Sequence, residues 1–142
     1  YTDFVGETVS WCSNRTSGAV GLPNFLIYSF YFWKKDCETN FLINSPEYYR
    51  DQEFQRIIYK LNQPYLRVTQ SAFTNFSIFD EEYLVALFGD KRYPDGSLVI
   101  DYVDEIMEYQ KAFMKIVSKI REEKMMTGSL ERDWSPFILF VR

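Results

Sequence analysis

The residues best suited to recognition lie between Leu61 and Phe79, where Pro64 breaks an amphipathic pattern and an alternating apolar and polar run follows. Gln70, Ser71, Thr74, Asn75 and Ser77 place neutral donors and acceptors among aromatic residues. Such groups hold ribose hydroxyls and phosphate oxygens without repelling a ligand's charge, whereas carboxylates need a metal to do so. The structural alternative is that they satisfy backbone groups at a strand end. Either way the stretch suits binding better than proton chemistry.

Catalytic chemistry is harder to find. The chain has no histidine, which removes Ser-His, Cys-His and His-metal arrangements. Cys12 and Cys37 are the only cysteines, too few and too far apart for a disulfide framework or a CxxC zinc site. No base or helix end is evidently placed to activate Cys12 as a nucleophile, so it reads as a plain cysteine. The acidic clusters Asp80-Glu81-Glu82 and Asp104-Glu105 could form a dyad or hold magnesium. Their contexts favour a helix N-terminus for the first and the solvated face of a long helix for the second. The small-residue loop Cys12 to Gly21 has glycines at 18 and 21 that let backbone approach a ligand closely, but lacks the Gly-Lys-Ser/Thr ending of a P-loop. The residues alone therefore indicate no catalytic group and no metal site.

A chain of 142 residues fits one domain, burying roughly two-thirds of its unfolded surface. With 46% hydrophobic, 25% charged and 19% aromatic residues it has the composition of a folded domain. A net charge of -4 without an extended basic run argues against a partner of polymeric DNA or RNA, although a single nucleotide fits. The triplets Asn14-Arg15-Thr16 and Asn75-Phe76-Ser77 match a glycosylation pattern that is common by chance. No signal peptide opens the chain and it starts without Met, so the expectation is an intracellular protein whose natural beginning is missing.

These residues need elements to position them. Val5, Val9 and Trp11 alternate with polar neighbours and predict a strand over Tyr1 to Trp11. Pro23 opens a buried, nearly all-apolar helix to Lys35, too short to span a bilayer. Ser45 caps a helix that starts at Pro46 and runs to Asn62, with Tyr48, Phe54, Ile57, Ile58 and Leu61 on its apolar face. Phe73 to Phe79 reads as a strand. Asp80 caps a short helix through Phe88, ended by Gly89, and Arg92-Tyr93-Pro94-Asp95-Gly96 is a turn. Ser97 to Met126 predicts the longest helix, with a stripe at Ile100, Val103, Met107, Met114, Val117 and Ile120 that packs as scaffold or binds a partner. After a break at Thr127-Gly128-Ser129, the apolar run Pro136 to Val141 predicts a strand without defining its neighbour.

Taken together, Ser17-Gly18-Ala19-Val20-Gly21-Leu22-Pro23, the aromatic helix ending in Lys34-Lys35-Asp36, Leu61-Asn62-Gln63-Pro64, Gln70-Ser71-Ala72-Phe73-Thr74-Asn75 and Tyr93-Pro94-Asp95-Gly96 resemble the anaerobic (class III, glycyl-radical) ribonucleoside-triphosphate reductases. Order and spacing match as well as residue type, from about Val5 to Met126. The resemblance implies a predominantly helical α/β fold, an internal fragment of the ten-stranded α/β barrel of the glycyl-radical and ribonucleotide reductase type. It also implies that Ser17, Gly18, Ala19, Gln70, Ser71, Thr74 and Asn75 lie close to a nucleotide substrate or effector. In the family the Gly-Ala loop lies between effector and substrate regions, and the Phe-Thr-Asn strand enters the barrel near the nucleotide. Proline often stands where this chain has Ala72.

The family's radical glycine, finger-loop cysteine, further barrel cysteine and four-cysteine zinc site do not map onto this chain. The implied cofactors (a glycyl radical, structural zinc and ATP or dNTP effectors) therefore belong to segments outside it, as do the implied partners: the remainder of the reductase, a second copy in a homodimer and a radical-SAM activase. The expected function is that of a cytoplasmic oxidoreductase segment for deoxyribonucleotide biosynthesis and DNA replication, inactive alone. The alternative is a non-catalytic structural or nucleotide-binding fragment that keeps the reductase fold. Residues 1–127 are expected to be the partial barrel segment and residues 128–142 a divergent tail, since the family pattern departs after Met126. That seam suggests a truncated or interrupted reading frame, a split gene or an engineered junction.

Overall fold

A computed structural model describes residues 1–13, 15, 20–62, 74–126 and 137–141. In chain order these form α1 (Thr2–Ser13), β1 (Val20–Leu22), α2 (Phe25–Thr39), α3 (Pro46–Leu61), β2 (Thr74–Phe79), α4 (Glu81–Phe88), a 3-10 turn (Val99–Tyr102), α5 (Val103–Met126) and β3 (Phe137–Val141). The fold is α/β and predominantly helical, around a three-stranded parallel sheet of order β1-β2-β3. Register runs from Val20↔Thr74 to Leu22↔Phe76 on one side of β2 and from Asn75↔Phe137 to Phe79↔Val141 on the other.

Local signals account for the starts of α3 and α4. Ser45 Oγ accepts from the Tyr48 amide at 3.3 Å with Pro46 in the first turn, and Asp80 Oδ1 accepts from the Tyr83 amide at 2.9 Å. Each satisfies one donor that a helix start leaves open. The Tyr93 to Ser97 turn closes with the Tyr93 amide donating to the Ser97 carbonyl at 2.8 Å. Gly96, at φ +88°, takes a left-handed conformation that strains other residues.

Tyr1 to Trp11 is not a strand. Thr2, Val5 and Val9 are buried whereas Phe4 and Trp11 are 71% and 58% exposed, the spacing of one helix face rather than of alternate strand positions. Val5 and Val9, four apart, satisfy both periods, and packing selects the helix. Gly6 lets α1 come close to α3: a Cβ there would lie 2.6 Å from Lys60 Cδ. Asp3 adds an exposed ion pair to Arg56 at 2.7 Å, a minor contribution beside the apolar contact.

The core is an aromatic chain between the sheet and α2, α3 and α5. Phe25 meets Phe76 at 5.3 Å between ring centroids, Phe76 meets Phe113 at 5.2 Å, Phe113 meets Phe54 at 5.1 Å and Phe54 meets Tyr109 at 4.8 Å. The ring planes are steeply tilted, as the aromatic quadrupole favours. The buried face of α5 is Ile106, Tyr109, Gln110, Phe113, Ile116, Val117 and Ile120. Of the aliphatic stripe expected from the sequence only Val117 and Ile120 are fully buried, and Ile100, Val103, Met107 and Met114 flank the seam. The aromatics set the helix's rotation because they bury more area. Likewise α2 buries Phe25, Leu26, Ile27, Ser29 and Phe30, but Phe32 is 37% exposed, so the helix is not covered all round. On α3, Tyr48 also faces outward, at 66% exposure.

Candidate functional site

Strand β2 carries the described part of the recognition stretch. Its central position follows from its sequence, because a parallel strand covered on both faces needs the nearly continuous burial that Phe76, Ser77, Ile78 and Phe79 show. Successive residues of a strand face opposite sides. Thr74, fully buried, therefore shares one face with Phe76, and Asn75, half-buried, shares the other with Ser77. Gly21 is the register partner of Asn75 on β1. A Cβ at Gly21 would meet only Pro23 Cδ, at 4.0 Å. The absent side chain leaves space beside the Asn75 amide, which offers two donors and an acceptor.

The first residues of β1 and β2, Val20 and Thr74, are register partners, so the two strands start side by side. Ser17, Gly18, Ala19, Gln70 and Ser71 lie outside the described residues. Of the residues singled out from sequence, the structure thus places Thr74 and Asn75 at the same end of the sheet as the start of β1, on opposite faces.

At the other end of β2 is a polar residue that sequence reasoning misses. Gln110 is 1% exposed. Its Nε2 donates to the Phe79 carbonyl at 2.9 Å, and its Oε1 accepts from the Phe79 amide at 3.0 Å. The side-chain amide acts as one more peptide at the end of the strand and satisfies groups that would otherwise be costly to bury. Its signal in the sequence is a polar residue between Ile106, Tyr109 and Phe113 on one helix face.

Other buried polar groups are structural. Ser29 and Tyr109 share a 2.7 Å hydrogen bond, and the Tyr93 hydroxyl donates to the Ile27 carbonyl at 2.8 Å. Burial raises both phenols, so they stay neutral. The acidic clusters face solvent: Asp80 is a cap, and Glu105 pairs with Lys34 at 3.1 Å. Cys12 and Cys37 lie on separate helices and form no disulfide with each other. Burial, with the Asp36 carboxylate nearby, pushes the Cys37 thiol up and away from nucleophile character. Among the described residues no group of three or more His, Cys, Asp or Glu could hold a metal ion, and no helix is long and apolar enough to cross a membrane.

A parallel sheet whose strands alternate with helices, with neutral amide and hydroxyl groups near one end, defines a segment of an α/β fold. Structural comparison specifies which one. The structure superposes with a TM-score of 0.80 on the anaerobic ribonucleotide reductase from Thermotoga maritima with citrate in the active site, at 42% identity, covering 87% of this chain and 22% of that one. The same enzyme in complex with dATP and CTP gives 0.80 and 43%, covering 86% and 20%. With dATP in the specificity site it gives 0.80 and 43%, covering 85% and 21%. The family model for anaerobic ribonucleoside-triphosphate reductases matches residues 1–133. The chain belongs to this family, and its fold is a piece of the family's α/β barrel. It spans about a fifth of the length of the reductases it matches. No curated protein sequence matches it significantly.

Proposed function

We propose that this chain is a segment of an anaerobic ribonucleoside-triphosphate reductase, contributing nucleotide recognition to the radical-based reduction of ribonucleotides to deoxyribonucleotides, and that it is inactive alone. The observation that carries this reading is 42–44% identity on a superposable backbone over 85–87% of the chain.

The recognition groups are Asn75, with Ser17, Gly18, Ala19, Gln70 and Ser71 ahead of the two strands. The Asn75 amide beside Gly21 donates to a phosphate or ribose oxygen and accepts from a ribose hydroxyl. Thr74, fully buried on the opposite face of β2, lies at the same end of the strand and completes the set. The dATP and CTP held by the Thermotoga maritima enzyme support a nucleotide as the partner.

The glycyl radical supplies the hydrogen-abstraction chemistry in this family, and no described residue of this chain is assigned to it. Nor do the described residues fit the structural zinc, since the two cysteines lie on different helices and form no ligand cluster. Zinc, radical, ATP or dNTP effector sites, the homodimer contact and the radical-SAM activase are assigned to the remaining four-fifths of the enzyme, in the cytoplasm.

The test exchanges the matching segment of the Thermotoga maritima reductase for this chain's and measures CTP reduction. Retained turnover, with Asn75→Ala and Gln70→Ala each weakening substrate use roughly fivefold for one lost hydrogen bond of about 1 kcal/mol, supports the reading. Full activity in both variants with loss in Asp104→Ala or Glu105→Ala moves the site to α5. A folded chimera that binds dATP but never turns over, or flanking genomic sequence that encodes neither finger-loop cysteine nor radical glycine, favours a non-catalytic fragment.

A further inference from the structure

Strand β3 begins at Phe137, past residue 133 where the match to the reductase family stops. It nevertheless pairs in parallel along β2, through Phe76↔Ile138, Ser77↔Leu139 and Ile78↔Phe140. In a closed barrel every strand has a neighbour on both sides, since closure removes the edges. Only one side of β2 is taken by β1, so the related barrel needs a strand on the other, and in this chain β3 is there. Its sequence, Phe137-Ile138-Leu139-Phe140-Val141, is an unbroken apolar run of the kind found in interior parallel strands, not in edge strands blunted by charge or proline. The route to it passes through α4 and α5, the helical crossover that a parallel pair requires.

We propose that Phe137–Val141 fills the barrel place beside β2, so that this edge is covered from within the chain and a reductase strand offered by another polypeptide must displace it. The occupant of the β2 edge is this chain's own strand, held by main-chain bonding, which does not need the family's side chains. The inference rests on the family's barrel fold and not on nucleotide recognition, so the two readings fail separately.

The test uses the full chain with Cys12→Ser and Cys37→Ser, adding Ser77→Cys and Leu139→Cys at the register pair. Oxidation in dilute solution should give an intramolecular disulfide and a compact monomer. A disulfide between two copies, or none, overturns the proposal. Hydrogen exchange on the unsubstituted chain supplies an independent reading: β2 and Phe137–Val141 amides should be protected together, and an unprotected β3 beside a protected β2 overturns it. Ile138→Pro, a residue that the interior of a paired strand does not accommodate, should speed exchange in β2 by about tenfold with the helices retained. Unchanged β2 exchange in that variant is a third way for the idea to fail.

Discussion

Gln110 and Asp95 do their work through single side chains. Replacing Gln110 by Leu keeps the apolar contact but leaves both the amide and the carbonyl of Phe79 without the partners at 3.0 and 2.9 Å. At about 1–3 kcal/mol for each of the two buried groups left unsatisfied, the expected loss is about 2–6 kcal/mol in urea unfolding, with the slope unchanged. A loss below about 0.5 kcal/mol would show that water takes over both bonds. Asp95 accepts from the Ser97 hydroxyl at 2.6 Å and the Ser97 amide at 3.0 Å, and pairs with Lys35 at 3.0 Å. The Ser97 bonds, followed by Lys35, hold its carboxyl at about 2 against an ordinary 3.8. Between these values the folded chain binds fewer protons than the unfolded one. The stabilisation is complete above pH 3.8 and is lost as pH falls towards 2. Unfolding measured across that window should be steeper in pH for the native chain than for Asp95→Asn, and equal slopes would remove Asp95 from acid sensitivity.

At the scale of elements, the aromatic chain outweighs the caps. Phe113→Ala removes a ring packed on Phe54 and Phe76 at full burial, and about 3–5 kcal/mol should be lost. Ser45→Ala should cost about 1 kcal/mol, and Phe41→Ala, at 91% exposure, less than about 0.5 kcal/mol in the same denaturation series. A Phe113 loss no larger than that of Ser45 would mean the site collapses around the cavity. The same contrast explains what is legible in the sequence. Ser45-Pro46, Asp80-Glu81-Glu82 and Tyr93-Pro94-Asp95-Gly96 act within one turn, so their residues alone define α3, α4 and the turn. The rotation of α5 is not legible, because Phe113 and Tyr109 face the core through rings supplied by α2, α3 and β2. For α1 the spacing of Val5 and Val9 fits a strand and a helix equally, and contact with α3 decides. At the candidate site the alternation that separates Thr74 from Asn75 is visible in the strand's period. Which face meets the aromatic core depends on Phe25 and Phe113, far away in the chain. Gln110 is hidden for the same reason, since its partner is Phe79 on another element.

For the whole molecule, the feature with the widest reach is that both neighbours of β2 are parallel to it. Each pairing joins segments that lie two helices apart, α2 and α3 on one side, α4 and α5 on the other. No hairpin can start this sheet. Every strand contact requires a long loop to close, an entropic cost met before any ladder bond repays it. Helices with local caps carry no such cost and form on a much shorter time scale. In stopped-flow refolding from urea, far-UV helical signal should therefore recover in an early phase, and protection of the Thr74–Phe79 amides in pulsed hydrogen exchange should appear in a later one. Simultaneous recovery of both signals would place sheet closure in the first step. If the order holds, the exposed intermediate is a set of formed helices around an unpaired β2, and the speed of loop closure, more than the strength of the core, governs how long that aggregation-prone edge stays open.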